Sequence, residues 1–97
     1  MAGSARRIRK FVHSSEQVAF RELMTSARLK AGLTQSELAA RLGKPQSFVA
    51  KYEGGERRID VLEFLTIAQA LEADPRKLFA VLVRRVAESR PETLGIG

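Results

Sequence analysis

"TQSELAARLGKPQSFVAKYE", residues 34–53, is the stretch that decides the fold of this chain. It contains two short helical patterns that are separated only by the letters LGKP. Apolar residues recur at helical spacing in both, so we expect Leu38 and Leu42 to point inward from the first pattern. Val49 and Tyr52 are expected to do the same from the second. Helices this short are unstable alone, so the rest of the chain must pack around them.

The turn between the two patterns adds two further constraints. Gly43 stands where the turn needs a positive φ, which glycine adopts without strain. Ala39 is small, as is required where two helices cross closely. With the four apolar positions, these residues have the spacing of a helix-turn-helix, whose second helix lies in the major groove of DNA. We therefore predict that the helix over residues 45–53 is a recognition helix.

Helix start signals recur along the whole chain, whereas alternating strand patterns are nearly absent. Prolines at positions 45 and 75 mark two starts. Capping boxes, in which two side chains bond the first turn reciprocally, are indicated at three more: Ser14 with Gln17, Thr34 with Glu37, and Asp60 with Glu63. The sequence predicts an all-α domain of five helices. Its parts are a flexible basic N-terminal arm (1–13), the domain (14–90, with the helix-turn-helix unit at 34–54) and a C-terminal tail (91–97).

Apolar spacing also assigns residues to the core outside the central stretch. In the fourth predicted helix we expect Leu62, Leu65, Ala68 and Leu71 to face inward. Phe48 lies one turn before a predicted core tyrosine, so we expect it to pack in the core as well.

The composition excludes several classes of protein. The chain has 97 residues, with no cysteine and one histidine, so neither a disulfide framework nor a thiolate metal site is expected. No metal, cofactor or small-molecule ligand is indicated. The longest apolar run, LFAVLV at 78–83, is too short to cross a membrane. We expect a cytoplasmic, nucleoid-associated protein.

The charge balance is basic. Lysine and arginine number 17 against 11 acidic residues, which gives a net charge of +6. Such a surplus favours a polyanionic partner, most often nucleic acid. It is also compatible with simple solubility, because small domains often carry a charge of this size.

Between about residues 20 and 80 the chain resembles the Cro/C1-type (XRE) family of phage-repressor-like helix-turn-helix proteins. The resemblance is carried by SARLKAGLTQSELAARLG, by PQSFVAKYEGG and by the following IDVLEFLTIAQAL. It implies a five-helix lambda-repressor-like fold and a transcriptional regulator, most simply a repressor. The regulator would bind double-stranded DNA at an inverted-repeat operator as a homodimer.

Three polar residues are the candidates for contacts to DNA bases: Gln46, Ser47 and Lys51. They occupy the exposed side near the start of the recognition helix, from which base edges are read. Glutamine can bond adenine through both amide atoms, and lysine can reach the acceptors of guanine. The resemblance implies base contacts at the same positions.

A second set is expected to contact phosphates: Gln35, Lys44, Arg57, Arg58 and, secondarily, Arg28. Gln35 begins a helix, where free N–H groups can meet an anion. The resemblance implies that the two arginines at 57 and 58 grip the DNA backbone. It also implies a structural pair between Arg28 and Glu53, and we expect that pairing to be the main role of Arg28.

The two ends of the domain suggest further contacts. A basic arm can follow phosphates or enter a minor groove, and the candidate arm contacts are Arg6, Arg7, Arg9 and Lys10. The last helix carries an apolar stripe longer than the core needs, and such surplus marks a partner surface. We assign Leu82, Val83 and Val86 to a homodimer interface. Alternatively, the N-terminal Ile8, Phe11 and Val12 fold back over this stripe.

Other functions fit the sequence less well. No glycine-rich phosphate loop or carboxylate pair in an evident pocket indicates an enzyme. An antitoxin or transcription-bridging module on the same scaffold would usually carry an added tail or domain, yet it stays an alternative. RNA binding would call for exposed stacking aromatics, whereas Phe48 and Tyr52 are expected in the core.

Overall fold

The computed structural model of the protein describes residues 14–89. This part of the chain forms five α helices and contains no strand. They are α1 (Ser15–Lys30), α2 (Gln35–Leu42), α3 (Gln46–Gly54), α4 (Val61–Ala70) and α5 (Pro75–Ser89). The predicted all-α, five-helix class is confirmed. None of these helices is both long and apolar enough to span a membrane.

The helix starts follow the local chemistry of the sequence. The Ser14 hydroxyl accepts the N–H of Gln17 at the start of α1. Thr34 and Asp60 each complete a reciprocal capping box at the starts of α2 and α4. Each box satisfies two N–H groups that have no acceptor inside the helix.

The recognition helix is shifted by one residue from the predicted range of 45–53. Pro45 has an extended ψ of 155°, so it caps α3 from outside rather than forming its first turn. The helix runs from Gln46 to Gly54, and Gly55 ends it in the left-handed conformation with φ of 86°. A proline is as compatible with the cap as with the first turn, because its fixed φ suits both places.

The turn between α2 and α3 has the predicted conformation. Gly43 has φ of 66° and its N–H bonds the carbonyl of Ala40 at 3.1 Å. A Cβ atom at this position would meet nothing within 4 Å. The demand for glycine is therefore conformational, since a side chain in the left-handed region costs roughly 1–2 kcal/mol.

The core lies where α1, α2, α3 and α4 meet. Its largest fully buried side chains are those of Met24, Leu38, Val49, Tyr52 and Ile67. The helix-turn-helix residues predicted to point inward are thus confirmed, except that Leu42 is only half-buried against the core. Phe48 is also half-buried there, rather than enclosed as expected.

The register of α4 differs from the prediction. Leu62 and Leu65 are 74% and 44% exposed, and Phe64 and Ile67 take the inward positions instead. Ala68 and Leu71 are buried as predicted. Because α4 is apolar on most of its sides, the sequence contains two overlapping stripes of helical period. The stripe that includes the bulky phenylalanine buries more apolar area and is the one that faces the core.

Truncating the centre of this core gives a first test. We expect Leu38→Ala to lower the free energy of unfolding by about 2–5 kcal/mol, because it removes a fully buried side chain and leaves a cavity. The matched control is Leu29→Ala, since Leu29 is 62% exposed and its loss should change stability by less than about 0.5 kcal/mol. Urea denaturation measures both. Equal effects of the two variants would contradict this core.

Candidate nucleic-acid interface

Helix α3 has one buried side and one polar side. Val49 and Tyr52 are turned into the core, with 0% and 1% of their surface exposed. The three candidates for base contacts, Gln46, Ser47 and Lys51, are all exposed. The packing of α3 against α1 and α2 therefore leaves a free face that carries amide, hydroxyl and ammonium groups.

Gln46 is held by its neighbour on α2. Its Nε2 donates to Oε1 of Gln35 at 2.8 Å, and Nε2 of Gln35 in turn donates to Oε1 of Glu53 at 2.9 Å. Both side-chain polar atoms of Gln35 thus form hydrogen bonds within the protein. A contact of Gln35 with a phosphate would therefore fall mainly to the free N–H groups at the start of α2. The side chain of Gln35 positions that of Gln46.

Glu53 ends this chain of bonds in an ion pair with Arg28. The guanidinium donates from Nε to Oε2 at 2.8 Å and from Nη2 to Oε1 at 3.0 Å. Both side chains are nearly enclosed, at 10% and 6% exposure. The hydrogen bonds that Arg28 donates to the Glu53 carboxylate are the main cause of the raised pKa of Arg28.

Arg28 also fixes the loop before α2. Its Nη1 donates to the carbonyl of Leu33 at 2.8 Å, so three N–H donors of this side chain bond within the protein. The residue is only 8% exposed. This geometry gives Arg28 a positioning role, and a buried guanidinium with engaged donors is poorly placed for the secondary phosphate contact that the sequence suggested.

Two candidate phosphate contacts flank one aromatic ring. Nζ of Lys44 lies 5.6 Å from the centre of the Phe48 ring, and Cζ of Arg57 lies 4.7 Å from it. The ring in turn meets Tyr52 edge-on, with 5.6 Å between the centroids. Phe48 thus places two cations beside the start of the recognition helix, at distances typical of cation–π contacts.

Arg57 has a partner that the sequence reasoning missed. Its Nη2 lies 2.6 Å from Oε2 of Glu63, and its Nη1 donates to Oε1 of Glu63 and to the carbonyl of Arg58, each at 3.0 Å. Glu63 was predicted only as part of a capping box. The arginine is the main cause that lowers the pKa of Glu63 to about 2. A signal existed in the sequence, because Glu63 follows Arg57 by only six residues and one short loop separates them.

The other predicted contacts are Arg58 and the four cations of the N-terminal arm. Arg58 is exposed on the loop after α3. Arg6, Arg7, Arg9 and Lys10 lie outside the described residues, as do Ile8, Phe11 and Val12 of the alternative arrangement.

One of the predicted dimer residues, Leu82, lines an apolar cavity at the surface. Leu82, Val83 and Val86 are half-buried, and none of the side chains of α5 is fully buried. A cavity of about 480 Å³ opens between α1, α4 and α5. Its walls include Leu65 of α4 and Phe79 of α5, which are 44% and 55% exposed. The part contributed by α4 was missed because Leu65 was read as a core residue.

Known proteins resemble this arrangement. Residues 25–78 match the model of a family described as helix-turn-helix. Among solved structures, an XRE-family-like protein from Pseudomonas syringae pv. tomato strain DC3000 is 45% identical, over 79% of this chain and 94% of that one, with a TM-score of 0.70. The restriction-modification controller protein C.AhdI from Aeromonas hydrophila is 33% identical, over 65% and 91% of the chains, with a TM-score of 0.60.

A mutant of the restriction-modification controller protein C.Esp1396I shares the fold at 20% identity. The match covers 75% of this chain and 97% of that one, with a TM-score of 0.70. No match was found among curated proteins.

The enclosed ion pair leads to a stability prediction. Glu53→Ala leaves the guanidinium of Arg28 enclosed without a counter-charge, and we expect a loss of about 3–5 kcal/mol in the free energy of unfolding. Glu56→Ala is the matched control, because this nearby glutamate is exposed and its loss should matter by less than about 0.5 kcal/mol. Urea denaturation measures both. If the two variants unfold at the same urea concentration, the pair does not support α3.

Proposed function

The chain belongs to the Cro/C1-type (XRE) helix-turn-helix family of DNA-binding transcription regulators, and from that premise we propose that it represses transcription by binding a specific double-stranded site as a homodimer. In this proposal α3 lies in the major groove. The observation that carries it is the exposed polar face of α3. Consecutive hydrogen bonds from Gln46 to Gln35 and from Gln35 to Glu53 hold the first residue of this face in place.

Base reading is assigned to Gln46, Ser47 and Lys51. All three are exposed; Ser47 and Lys51 lie opposite to the buried residues of α3, and Gln46 lies at the edge of this side, next to α2. Gln46 needs little further ordering when it meets an adenine edge, because its side chain is already bonded to Gln35. Lys51 can reach the O6 and N7 acceptors of guanine, whereas a serine hydroxyl accepts several base edges.

Backbone contacts are assigned to groups that border this face. Lys44 lies beside the Phe48 ring in the turn before α3, and Arg58 is exposed in the loop after it. The free N–H groups at the start of α2, next to Gln35, suit a phosphate oxygen. Such contacts fix the position of the protein on the duplex and carry no sequence information themselves.

A second copy of the chain is the partner we assign to the apolar face on α4 and α5. This face combines Leu65, Phe79 and Leu82 with the predicted Val83 and Val86. Exposed apolar patches of this kind mark interaction surfaces. A two-fold axis through it would place two α3 helices about 34 Å apart, one turn of DNA, on an inverted repeat. Occupancy of such a site is sufficient to repress, since it excludes other proteins from the same DNA.

Two alanine variants separate base reading from backbone binding. We expect Gln46→Ala to cost about 1–3 kcal/mol on the preferred site and to relax base choice at one position. Lys44→Ala should weaken all sequences alike and reduce the salt slope by about 0.9. Lys77→Ala, a lysine exposed on α5, controls for loss of charge alone. Titrations on matched and mismatched duplexes measure these effects, and unchanged base preference in Gln46→Ala would remove the reading assignment.

Selection from a random duplex library at about 150 mM salt, where non-specific binding is weak, tests the function as a whole. We expect enrichment of an inverted repeat with half-sites about 10 base pairs apart, or a near multiple. Enrichment of a single half-site would keep the DNA reading and remove the dimer. No enrichment would favour the protein-interaction module, such as an antitoxin.

A variant of the apolar face tests dimerisation in the same selection experiment. Leu65→Glu places a charge on the apolar face while the core stays intact, because Leu65 is already 44% exposed. We expect this variant to select a single half-site and to sediment as a monomer.

A further inference from the structure

We propose that Glu63 is a built-in competitor of the DNA backbone for Arg57, and that it thereby limits how tightly the protein binds DNA. The inference rests on the proposed function and deepens it. It makes Arg57 a cation whose charge is cancelled within the protein, rather than one that grips a phosphate as the sequence suggested.

The geometry of the pair resembles the recognition of a phosphate. Two nitrogens of the Arg57 guanidinium face two oxygens of Glu63, at 2.6 Å and 3.0 Å. Arginine uses the same two-pronged arrangement for carboxylates and phosphates. A phosphate that approached Arg57 would therefore meet N–H donors that already have an anionic partner.

The location of the pair puts it next to the DNA-binding face. Cζ of Arg57 lies over the ring of Phe48, a residue of α3, and Nζ of Lys44 lies on the same ring. Lys44 also contributes to the low pKa of Glu63. The carboxylate thus partly offsets two cations that border the recognition helix.

Exposure makes the pair a competitor rather than a permanent structural link. The side chains of Arg57 and Glu63 are 41% and 24% exposed, whereas those of the Arg28–Glu53 pair are 10% and 6% exposed. An exposed ion pair is only weakly stabilising, so a free anion can compete with it. As long as Arg57 stays paired, its charge adds little to the release of counterions from DNA.

Such a device sets the overall affinity for DNA and leaves sequence preference to the base contacts. Backbone contacts strengthen binding to all sequences alike, because phosphates carry no sequence information. Cancelling one cation lowers the affinity for every duplex and leaves the contacts of Gln46 and Lys51 with bases unchanged. The ratio of specific to non-specific binding is then unchanged, and Glu63 limits only how tightly the protein binds any duplex.

The charge of Glu63 can be removed without removing its capping role. Glu63 accepts the N–H of Asp60 in the capping box of α4, and glutamine serves equally at this position. Glu63→Gln therefore keeps the cap and loses the anion. The matched control is Glu37→Gln, since Glu37 holds the same place in the capping box of α2.

The test compares these two variants on one duplex, the site enriched by selection, between about 50 and 300 mM KCl. We expect Glu63→Gln to bind about fivefold tighter than Glu37→Gln at about 150 mM KCl, with a salt slope steeper by about 0.9, which is one additional phosphate. The gain should vanish when Arg57→Gln is added. Thermal unfolding of each variant verifies that the fold is intact.

Each alternative outcome has a distinct meaning. Equal affinity and slope in the two variants, with normal binding by the wild-type chain, would overturn the inference and leave the proposed function standing. Weaker binding by Glu63→Gln would also overturn it, because Arg57 would then need Glu63 to hold it in place. A wild-type chain that binds no duplex would overturn the proposed function and this inference together.

Discussion

The buried pair between Arg28 and Glu53 is the interaction on which the recognition surface depends. Two charges enclosed to this degree are tolerated only with close geometry and satisfied donors, and both conditions are met here. The pair joins α1 to the end of α3 and, through the carbonyl of Leu33, to the loop before α2. The carboxylate of Glu53 also accepts a hydrogen bond from the side-chain amide of Gln35, which in turn accepts one from Gln46. The orientation of an exposed side chain at the start of α3 is thus set by a charge pair at the other end of that helix.

Features controlled by residues close in sequence could be predicted. The capping boxes at Thr34 and Asp60, and the positive φ of Gly43, depend on a few neighbouring residues and their backbone. Resemblance to a family added the pairing of Arg28 with Glu53, which composition and spacing do not reveal. The candidate contacts at Gln46 and Lys51 followed from the same two sources, and their exposure is what a DNA-reading face requires.

Features decided by tertiary packing could not be predicted. The sequence of α4 offers two apolar stripes, and only the fit of Phe64 against the other helices selects between them. Leu62 and Leu65 are left at the surface for the same reason. Where a helix is apolar on most sides, helical spacing therefore does not tell which apolar residues face the core. Those left at the surface can be identified only from the packed structure.

The net charge likewise does not reveal which basic residues are available to bind DNA. A net charge of +6 indicates affinity for a polyanion, but it does not tell which cations are available. Arg28 is neutralised in the interior and Arg57 at the surface, by glutamates 25 and six residues away in the chain. Lys44 and Lys51, in contrast, are both exposed. In the proposed mode of binding, the DNA affinity therefore depends on how the arginines are paired as well as on how many basic residues the chain contains.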